Sequence, residues 1–183
     1  MSSSNSRTSG GTEQVPRSLR HLNLYTLSQA GNDPQRRIIV LADTVNLYRR
    51  VRAVDGPASR PDYGRIIADL GSLGHVVRAV ALFNDGVPAR FPEELRQLGF
   101  FTRFSHARDL DDALVAEAVR LHQQADCIVI ASHDGDYRHL ASLLRASGRE
   151  LVVCAIRNIC SRRLLVLASA FYELPVTGQL AVQ

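Results

Sequence analysis

The sequence contains no lysine, because all 22 of its Lys+Arg residues are arginine. A Walker P-loop, a Schiff-base enzyme and a phosphatase of the haloacid-dehalogenase type each need a lysine at the reacting centre, so these classes are excluded. Every basic side chain other than histidine is therefore a guanidinium, whose planar fork suits bidentate contact with phosphate. The net charge of +4 is compatible with an anionic partner, and equally with a basic surface that serves solubility alone.

Cysteine is scarce and long apolar runs are absent. The three cysteines, Cys127, Cys154 and Cys160, include no C-x-x-C pair, so we expect reduced thiols rather than a disulfide framework. No apolar run approaches the roughly 18 residues of a membrane span, and the N-terminus lacks the apolar stretch of a secretory signal. These absences predict a cytoplasmic protein that has no membrane partner.

The 183 residues have the length of one ordinary domain with short appendages. Residues 1–35 are rich in Ser, Gly, Asn and Thr and are expected to form a disordered or weakly structured tail. In residues 36–175, short apolar runs alternate with segments of helical period, which predicts an α/β domain with a mostly parallel sheet of about five strands. Residues 176–183 are expected to be a C-terminal tail.

The apolar runs place the elements of this domain. The run Ile38–Ala42 is continuously apolar, as is typical of a strand buried on both faces of a sheet. Further strands are predicted at 76–83, 100–104, 127–131, 151–156 and 171–174, and helices at 61–74, 92–98, 110–123, 136–147 and 161–168. The segment between residue 43 and Pro61 contains Gly, Pro and several arginines and is predicted to be a loop.

Acidic side chains follow two of the predicted strands. Asp43 comes directly after the first strand, Asp134 and Asp136 follow the fourth, and Asp111 begins the helix before the fourth. In an open parallel sheet, ligands bind outside the carboxyl ends of the strands, where the strand order reverses. If the first and fourth strands are neighbours at that point, the four carboxylates converge on one patch.

Such a cluster favours a divalent cation. Carboxylates that lie close together raise one another's pKa, and the chain has no lysine to compensate their charge. Oxygen ligands favour Mg²⁺ or Mn²⁺, the usual ions of phosphodiester hydrolysis, so Asp43, Asp111, Asp134 and Asp136 are predicted to bind metal and to be catalytic. The alternative is that aspartates at strand ends merely cap the following helices.

Four sequence blocks resemble the NYN domain family, a branch of the PIN-like nucleases. Residues 43–46 (DTVN) are similar to the D-x-x-N that ends the family's first strand, and 110–117 (LDDALVAE) to its V-D-x-x-L-x-x-D helix. Residues 132–137 (SHDGDY) are similar to its S-x-D-x-D-F turn, and 161–164 (SRRL) to the start of its last helix. The resemblance implies a PIN-like three-layer α/β/α fold, a cluster of acids that binds Mg²⁺ or Mn²⁺, and RNA cleavage or processing.

The chain departs from the family pattern at several positions. Glu117 replaces the usual Asp, and it lies about 240° around a helix from Asp111, so Glu117 is only a secondary metal candidate. His133 replaces a common Gly, Tyr137 the common Phe, and Ala170 a frequent Asp. His133 is suggestive of a proton shuttle or a stacking surface, although a lone histidine in a polar turn is more often incidental.

Polar and basic residues near these strand ends are candidates for substrate binding. Asn46 is expected to orient a phosphate or a water, Ser132 to bond a ligand or fix the turn, and Ser161 to cap its helix or contact phosphate. Arginines of the two loops are expected to hold a polyanion by its backbone, unless they form only a solvated rim. The arginines selected are Arg49, Arg50 and Arg162.

The sequence thus predicts a metal-dependent ribonuclease that acts on single-stranded or structured RNA. The rival hypothesis is a non-catalytic RNA-binding or adaptor protein that retains the fold, because Glu117 and His133 could mark a weakened site. A haloacid-dehalogenase site needs a second Asp where Val45 stands, and a TOPRIM site needs a Glu where Asp43 stands. The identity of the nucleic acid, internal or terminal cleavage, and a homo-oligomeric state are left open.

Overall fold

The structure is a computed structural model of the chain and describes residues 25–26, 33–106 and 110–178. Most of the expected N-terminal tail and the end of the expected C-terminal tail, residues 179–183, therefore lie outside the described residues. Within the described ranges, no helix is long and apolar enough to cross a membrane.

Seven parallel strands form the central sheet of the described residues. They are β1 (Tyr25–Thr26), β2 (Arg37–Asp43), β4 (His75–Asn84), β5 (Phe100–Ser105), β6 (Cys127–Ala131), β7 (Glu150–Ala155) and β8 (Ala170–Glu173). Their order across the sheet is β1-β8-β7-β6-β2-β4-β5. Two further short strands, β3 (Arg60–Pro61) and β9 (Val176–Thr177), pair antiparallel beside it.

Helices cover both faces of the sheet and complete three α/β/α layers. The α-helices of the described residues are α1 (Thr44–Asp55), α2 (Tyr63–Gly71), α3 (Arg90–Gln97), α4 (Asp111–Leu121), α5 (Arg138–Ala146) and α6 (Arg162–Leu165). The predicted three-layer PIN-like architecture with a parallel sheet is confirmed. Among the described residues, the sheet has seven strands rather than about five: β8 corresponds to the strand predicted at 171–174, and β1, which lies outside the predicted strands, extends the same edge.

Two apolar cores lie on opposite faces of the sheet. Within β2, Ile38, Val40 and Ala42 pack with residues of α1, α2 and α3, whereas Ile39 and Leu41 pack with residues of α4, α5 and α6. All five side chains are buried. The continuous apolar run of this strand is thus explained, since each of its faces needs apolar side chains.

The prediction of a loop after the first strand is wrong, because helix α1 begins at once. Asp43 caps the helix by accepting a hydrogen bond from the Asn46 backbone N–H at 3.0 Å. Leu47 and Val51, one turn apart, are fully buried against the sheet. The helix ends only at Gly56, whose φ of 93° suits glycine. The arginines assigned to that loop are therefore held on a helix.

The order of the strands reverses between β2 and β6, which are hydrogen-bonded neighbours with Leu41 opposite Ile130. After β2 the chain passes to α1 on one face, and after β6 it passes to α5 on the other. The connections that leave the carboxyl ends of two such strands turn to opposite faces of the sheet and leave a crevice between them. The predicted convergence of the four carboxylates requires β2 and β6 to be neighbours where the strand order reverses, and they are.

Candidate metal centre

Three carboxylates meet at this crevice. Asp111, Asp134 and Asp136 each offer an oxygen, and these oxygens lie within 4.8 Å of one another. Asp111 stands in the first turn of α4, whereas Asp134 and Asp136 belong to the turn and the 3₁₀ helix (Gly135–Tyr137) that follow β6. A set of oxygen donors fits the preference of Mg²⁺ or Mn²⁺. We call these three residues the acidic group.

Asp43 lies beside the acidic group and lines the same cleft as Asp111 and Asp134. Asp43 is buried, with only 5% of the residue exposed, and each of its carboxylate oxygens accepts a hydrogen bond. Oδ1 accepts from the Asn46 backbone N–H, and Oδ2 accepts from the Tyr137 hydroxyl, both at 3.0 Å. The structure thus places Asp43 as a fixed neighbour of the acidic group.

The hydroxyl of Tyr137 interacts with two carboxylates, those of Asp43 and Asp111. Burial first, and then the charges of Asp43 and Asp111 and its hydrogen bonds with them, raise the pKa of this fully buried phenol above its usual range. The hydroxyl therefore keeps its proton and acts as a donor. The sequence showed that Tyr137 stands where the family usually has Phe, but nothing in it indicated which groups the added hydroxyl would contact.

Helix N-termini offset the negative charge of the site. Asp43 is the N-cap of α1, and Asp111 is the first residue of α4. Asp134 caps the 3₁₀ helix, where its Oδ1 accepts from the Asp136 backbone N–H at 3.0 Å. Each N-terminus carries a partial positive charge that stabilises a nearby carboxylate. The capping role named above is therefore present for Asp134, and it occupies one oxygen of the side chain.

A cleft of about 620 Å³ opens beside the acidic group. One stripe of α1 forms its basic wall, because Arg49 and Arg50 each lie three or four residues from both Asn46 and Ala53. The full lining consists of Asp43, Val45, Asn46, Arg49, Arg50, Ala53, Leu110, Asp111 and Asp134. Guanidinium groups and carboxylates thus share one cleft, as a site needs if it holds a polyanion against a metal.

His133 is buried next to this cleft, with 2% of its surface exposed. Its backbone N–H donates to Asn46 Oδ1 at 3.0 Å, and its Nε2 accepts from the Ile156 backbone N–H at 2.9 Å. Burial, followed by the charge of Arg50, lowers the pKa of His133 to about 4. The side chain is thus neutral and enclosed, which excludes the stacking surface and the proton shuttle considered above.

Two serines fix the turn around the acidic group. Ser132 is fully buried, and its Oγ accepts from the Asp134 backbone N–H at 3.2 Å, so it shapes the turn and is not placed to touch a substrate. The Ser161 backbone N–H donates to the His133 carbonyl at 3.0 Å. A Cβ at position 135 would lie 2.3 Å from Ser161 Oγ and 3.0 Å from Ser161 Cβ, so glycine suits the close approach of the two segments.

Three of the predicted site residues lie outside both the acidic group and the cleft lining of the described residues. Glu117 pairs with Arg103, at 3.0 Å from its Nε, and with Arg120, and it is not part of the acidic group, so its secondary metal role stays a prediction. The helical geometry turns Glu117 away from Asp111. Arg162 is exposed on α6 and, within the described residues, is not part of the cleft lining. The Ser161 side chain makes no hydrogen bond that caps α6 in this part of the chain.

The parallel three-layer α/β fold of this chain, with carboxylates where the strand order reverses, is consistent with the PIN-like class. The family model of the NYN domain matches residues 37–175, and the chain belongs to the NYN domain family. This family includes ribonucleases, and its members generally depend on divalent metal ions. The family thus supports a nuclease-like function for the site described above.

A solved structure shares the fold. It is the crystal structure of a protein of unknown function from Vibrio parahaemolyticus RIMD 2210633, to which this chain is 22% identical with a TM-score of 0.70. The similar region covers 77% of this chain and 94% of the other. A comparison with curated protein sequences finds no match.

Proposed function

We propose that this chain is a divalent-metal-dependent ribonuclease that hydrolyses phosphodiester bonds in RNA. The observation that carries the proposal is the position of the acidic group at a cleft whose α1 wall presents Arg49 and Arg50. An acidic centre would repel RNA unless guanidinium groups held the neighbouring phosphates. Membership of a family that includes ribonucleases supports the same conclusion.

The acidic group would hold the metal, with Asp43 beside it. Three carboxylate oxygens within 4.8 Å of one another are a donor set that suits Mg²⁺ or Mn²⁺. When bound, such an ion supplies charge stabilisation to the phosphate and makes water more acidic. The contacts of Asp43 with Asn46 and Tyr137 hold its carboxylate in place whether or not an ion is bound.

The basic wall of α1 would bind the RNA backbone. Arg49 and Arg50 are exposed and line the cleft, so both guanidinium groups are accessible to a phosphate. Contacts of this kind position a nucleic acid without reading its sequence. We therefore propose binding to the backbone of single-stranded or structured RNA, with base preference supplied by other parts of the chain if it exists.

Cleavage assays test this function directly. End-labelled RNA and single-stranded DNA of the same sequence are incubated with the purified protein in Mg²⁺, Mn²⁺ or EDTA, and product lengths are read on a denaturing gel. We expect RNA products with either metal and none in EDTA. Binding without cleavage in both metals would instead favour the RNA-binding or adaptor protein, and cleavage that persists in EDTA would contradict the metal requirement.

The cellular setting and the assembly state are part of the proposal. The three cysteines lie within the described residues and are free thiols, which fits a reducing cytoplasm where RNA is available. A homo-oligomer stays a hypothesis, which the mass of the purified protein measured by light scattering will decide.

A further inference from the structure

His133 connects the segments that follow three neighbouring strands of the sheet, β2, β6 and β7. It lies in the turn after β6, its side chain contacts Asn46 in the first turn of α1, and its ring also meets the backbone at Ile156 after β7. The ring is enclosed by protein, since only 2% of the residue is exposed. A buried polar ring must have its nitrogen atoms satisfied by specific partners.

The hydrogen bonds define which nitrogen of the ring carries the proton. A backbone N–H can only donate, so Nε2 is the acceptor of the 2.9 Å bond from Ile156 and is unprotonated. The proton of the neutral ring is then on Nδ1, which donates to Asn46 Oδ1 at 3.2 Å. The backbone N–H of His133 donates to the same oxygen at 3.0 Å.

These two donors fix the direction of the Asn46 amide. The atom that faces both of them must be the carbonyl oxygen, so the –NH2 group is the end of the side chain that His133 does not engage. Asn46 also lines the cleft, beside Arg49 and Arg50. An amide turned the other way would bring an oxygen towards a phosphate and would leave two N–H groups facing a nitrogen.

We propose that His133 is a positioning residue that holds the Asn46 amide so that its –NH2 group donates to a phosphate oxygen of RNA in the cleft. The proposal rests on the proposed function, because it takes RNA as the ligand of this cleft. Its basis is a residue of this chain that departs from the family pattern, together with three hydrogen bonds whose donors are unambiguous.

Two isosteric substitutions of His133 separate positioning from a merely structural role. In His133→Asn, the side-chain amide nitrogen takes the place of Nδ1 and can still donate to Asn46, but the bond from Ile156 is lost. In His133→Gln, the side-chain oxygen takes the place of Nε2 and can still accept from Ile156, but the side-chain donor to Asn46 is lost and only the backbone N–H of residue 133 still donates to it. Positioning predicts tighter RNA binding by the Asn variant, whereas a merely structural role predicts equal affinities or affinities that follow the melting temperatures.

The affinity for a fluorescein-labelled single-stranded RNA is measured by anisotropy in EDTA, and each melting temperature is measured in the same buffer. We expect His133→Gln to weaken binding about tenfold and His133→Asn by less than about threefold, as suits one hydrogen bond to a charged group. The melting temperature should follow the opposite order, because only the Gln variant keeps the buried bond to the Ile156 N–H.

Variants of Asn46 keep the test decisive if a variant of His133 does not fold. Asn46→Asp retains an oxygen for both His133 donors and removes the –NH2 group, and Asn46→Ala removes the amide without adding charge. Both should weaken RNA binding about tenfold or more. Wild-type affinity in Asn46→Ala, or equal affinities in the two His133 variants, would overturn the proposal.

The same samples distinguish this proposal from the nuclease function. If the wild-type protein binds RNA but cleaves none in Mg²⁺ or Mn²⁺, the nuclease function is contradicted. The order of the RNA affinities of the variants would still decide the role of His133. A wild-type protein that binds no RNA at all would overturn both proposals.

Discussion

Asp134 combines two contacts that one substitution can separate. Its Oδ1 caps the 3₁₀ helix through the Asp136 backbone N–H, and its carboxylate also belongs to the acidic group. An asparagine retains an oxygen that can cap and removes the charge that a cation needs. At the scale of the residue, folding and metal binding can therefore be tested independently at this position.

Asp134→Asn should abolish metal-dependent cleavage, because a weakened metal site loses its stabilisation of the transition state. RNA affinity in EDTA should stay equal or rise, and the melting temperature without metal should hold or rise as carboxylate crowding eases. Asp112→Asn is the matched control, since Asp112 is exposed next to Asp111 and outside the acidic group. Cleavage by Asp134→Asn at the wild-type rate would defeat the proposed site.

Tyr137→Phe should lower the free energy of unfolding in EDTA by about 1–3 kcal/mol, because the buried Asp43 carboxylate loses its 3.0 Å donor. Tyr172→Phe is the control, since Tyr172 donates to Asp69 at 2.7 Å in a half-buried position away from the cleft. The control should cost less, and urea unfolding measures both. Equal losses would show that Asp43 has no special dependence on Tyr137.

At the scale of the element, ion pairs join the amino ends of the central strands. Asp126, just before β6, accepts from Arg37 at the start of β2 at 2.8 Å, and Arg36 pairs with Glu150 at the start of β7. Hydrogen bonds from Arg37 lower the pKa of Asp126 to about 2. The contacts therefore favour the alignment of β2, β6 and β7 that brings Asp43 and Asp134 to one crevice.

Asp126→Asn should lower the melting temperature near pH 7 by about 1–3 °C, a small effect because the pair is exposed to solvent. The pKa of Asp126 is lower in the folded state than in the unfolded chain, so its contribution is complete above about pH 4 and is lost as the pH falls towards 2. Melting curves between pH 7 and 2 should therefore converge for the two proteins. A constant difference at every pH would contradict the assignment.

The buried elements could be predicted closely from the sequence, because continuous apolar runs have few other structural explanations. The strand predicted at 127–131 matches β6 residue for residue. The segment of α1 resembles a loop because of its exposed arginines and the nearby Gly56 and Pro57, although the spacing of four between Leu47 and Val51 indicates a buried helical face. The pairing of β1 with β8 joins distant segments, and a two-residue strand has no period to detect.

At the scale of the whole molecule, the site brings together segments that lie far apart in the chain. Strand-end positions indicated Asp43, Asp134 and Asp136, because the carboxyl ends of parallel strands meet at one edge, and Asp111 was indicated by its place at the start of the helix before the fourth predicted strand. The contacts of His133 and Tyr137 could not be predicted, since they depend on side-chain distances across the crevice. The sequence therefore predicts which acidic side chains lie at the strand ends, but not the hydrogen bonds that orient them.

Replacing both Arg49 and Arg50 by Ala should weaken RNA binding and make its salt dependence shallower. Removing one guanidinium–phosphate interaction reduces the slope of log affinity against log salt by about 0.7 for a single strand. Arg52→Ala is the control on the same helix, because Arg52 contacts Tyr48 and is not part of the cleft lining within the described residues. An unchanged slope in the double variant would show that α1 is not part of the RNA-binding surface.

The wholly parallel sheet gives the molecule a front and a back. Its carboxyl ends carry the cleft, and its amino ends carry the pairs Arg36–Glu150 and Arg37–Asp126. Engineering at the back, such as a stronger ion pair or a tether to a solid support, therefore acts far from the cleft. Immobilisation through residues before β2 or β7 would leave the front open to long polymers, whereas attachment at α1 would block it.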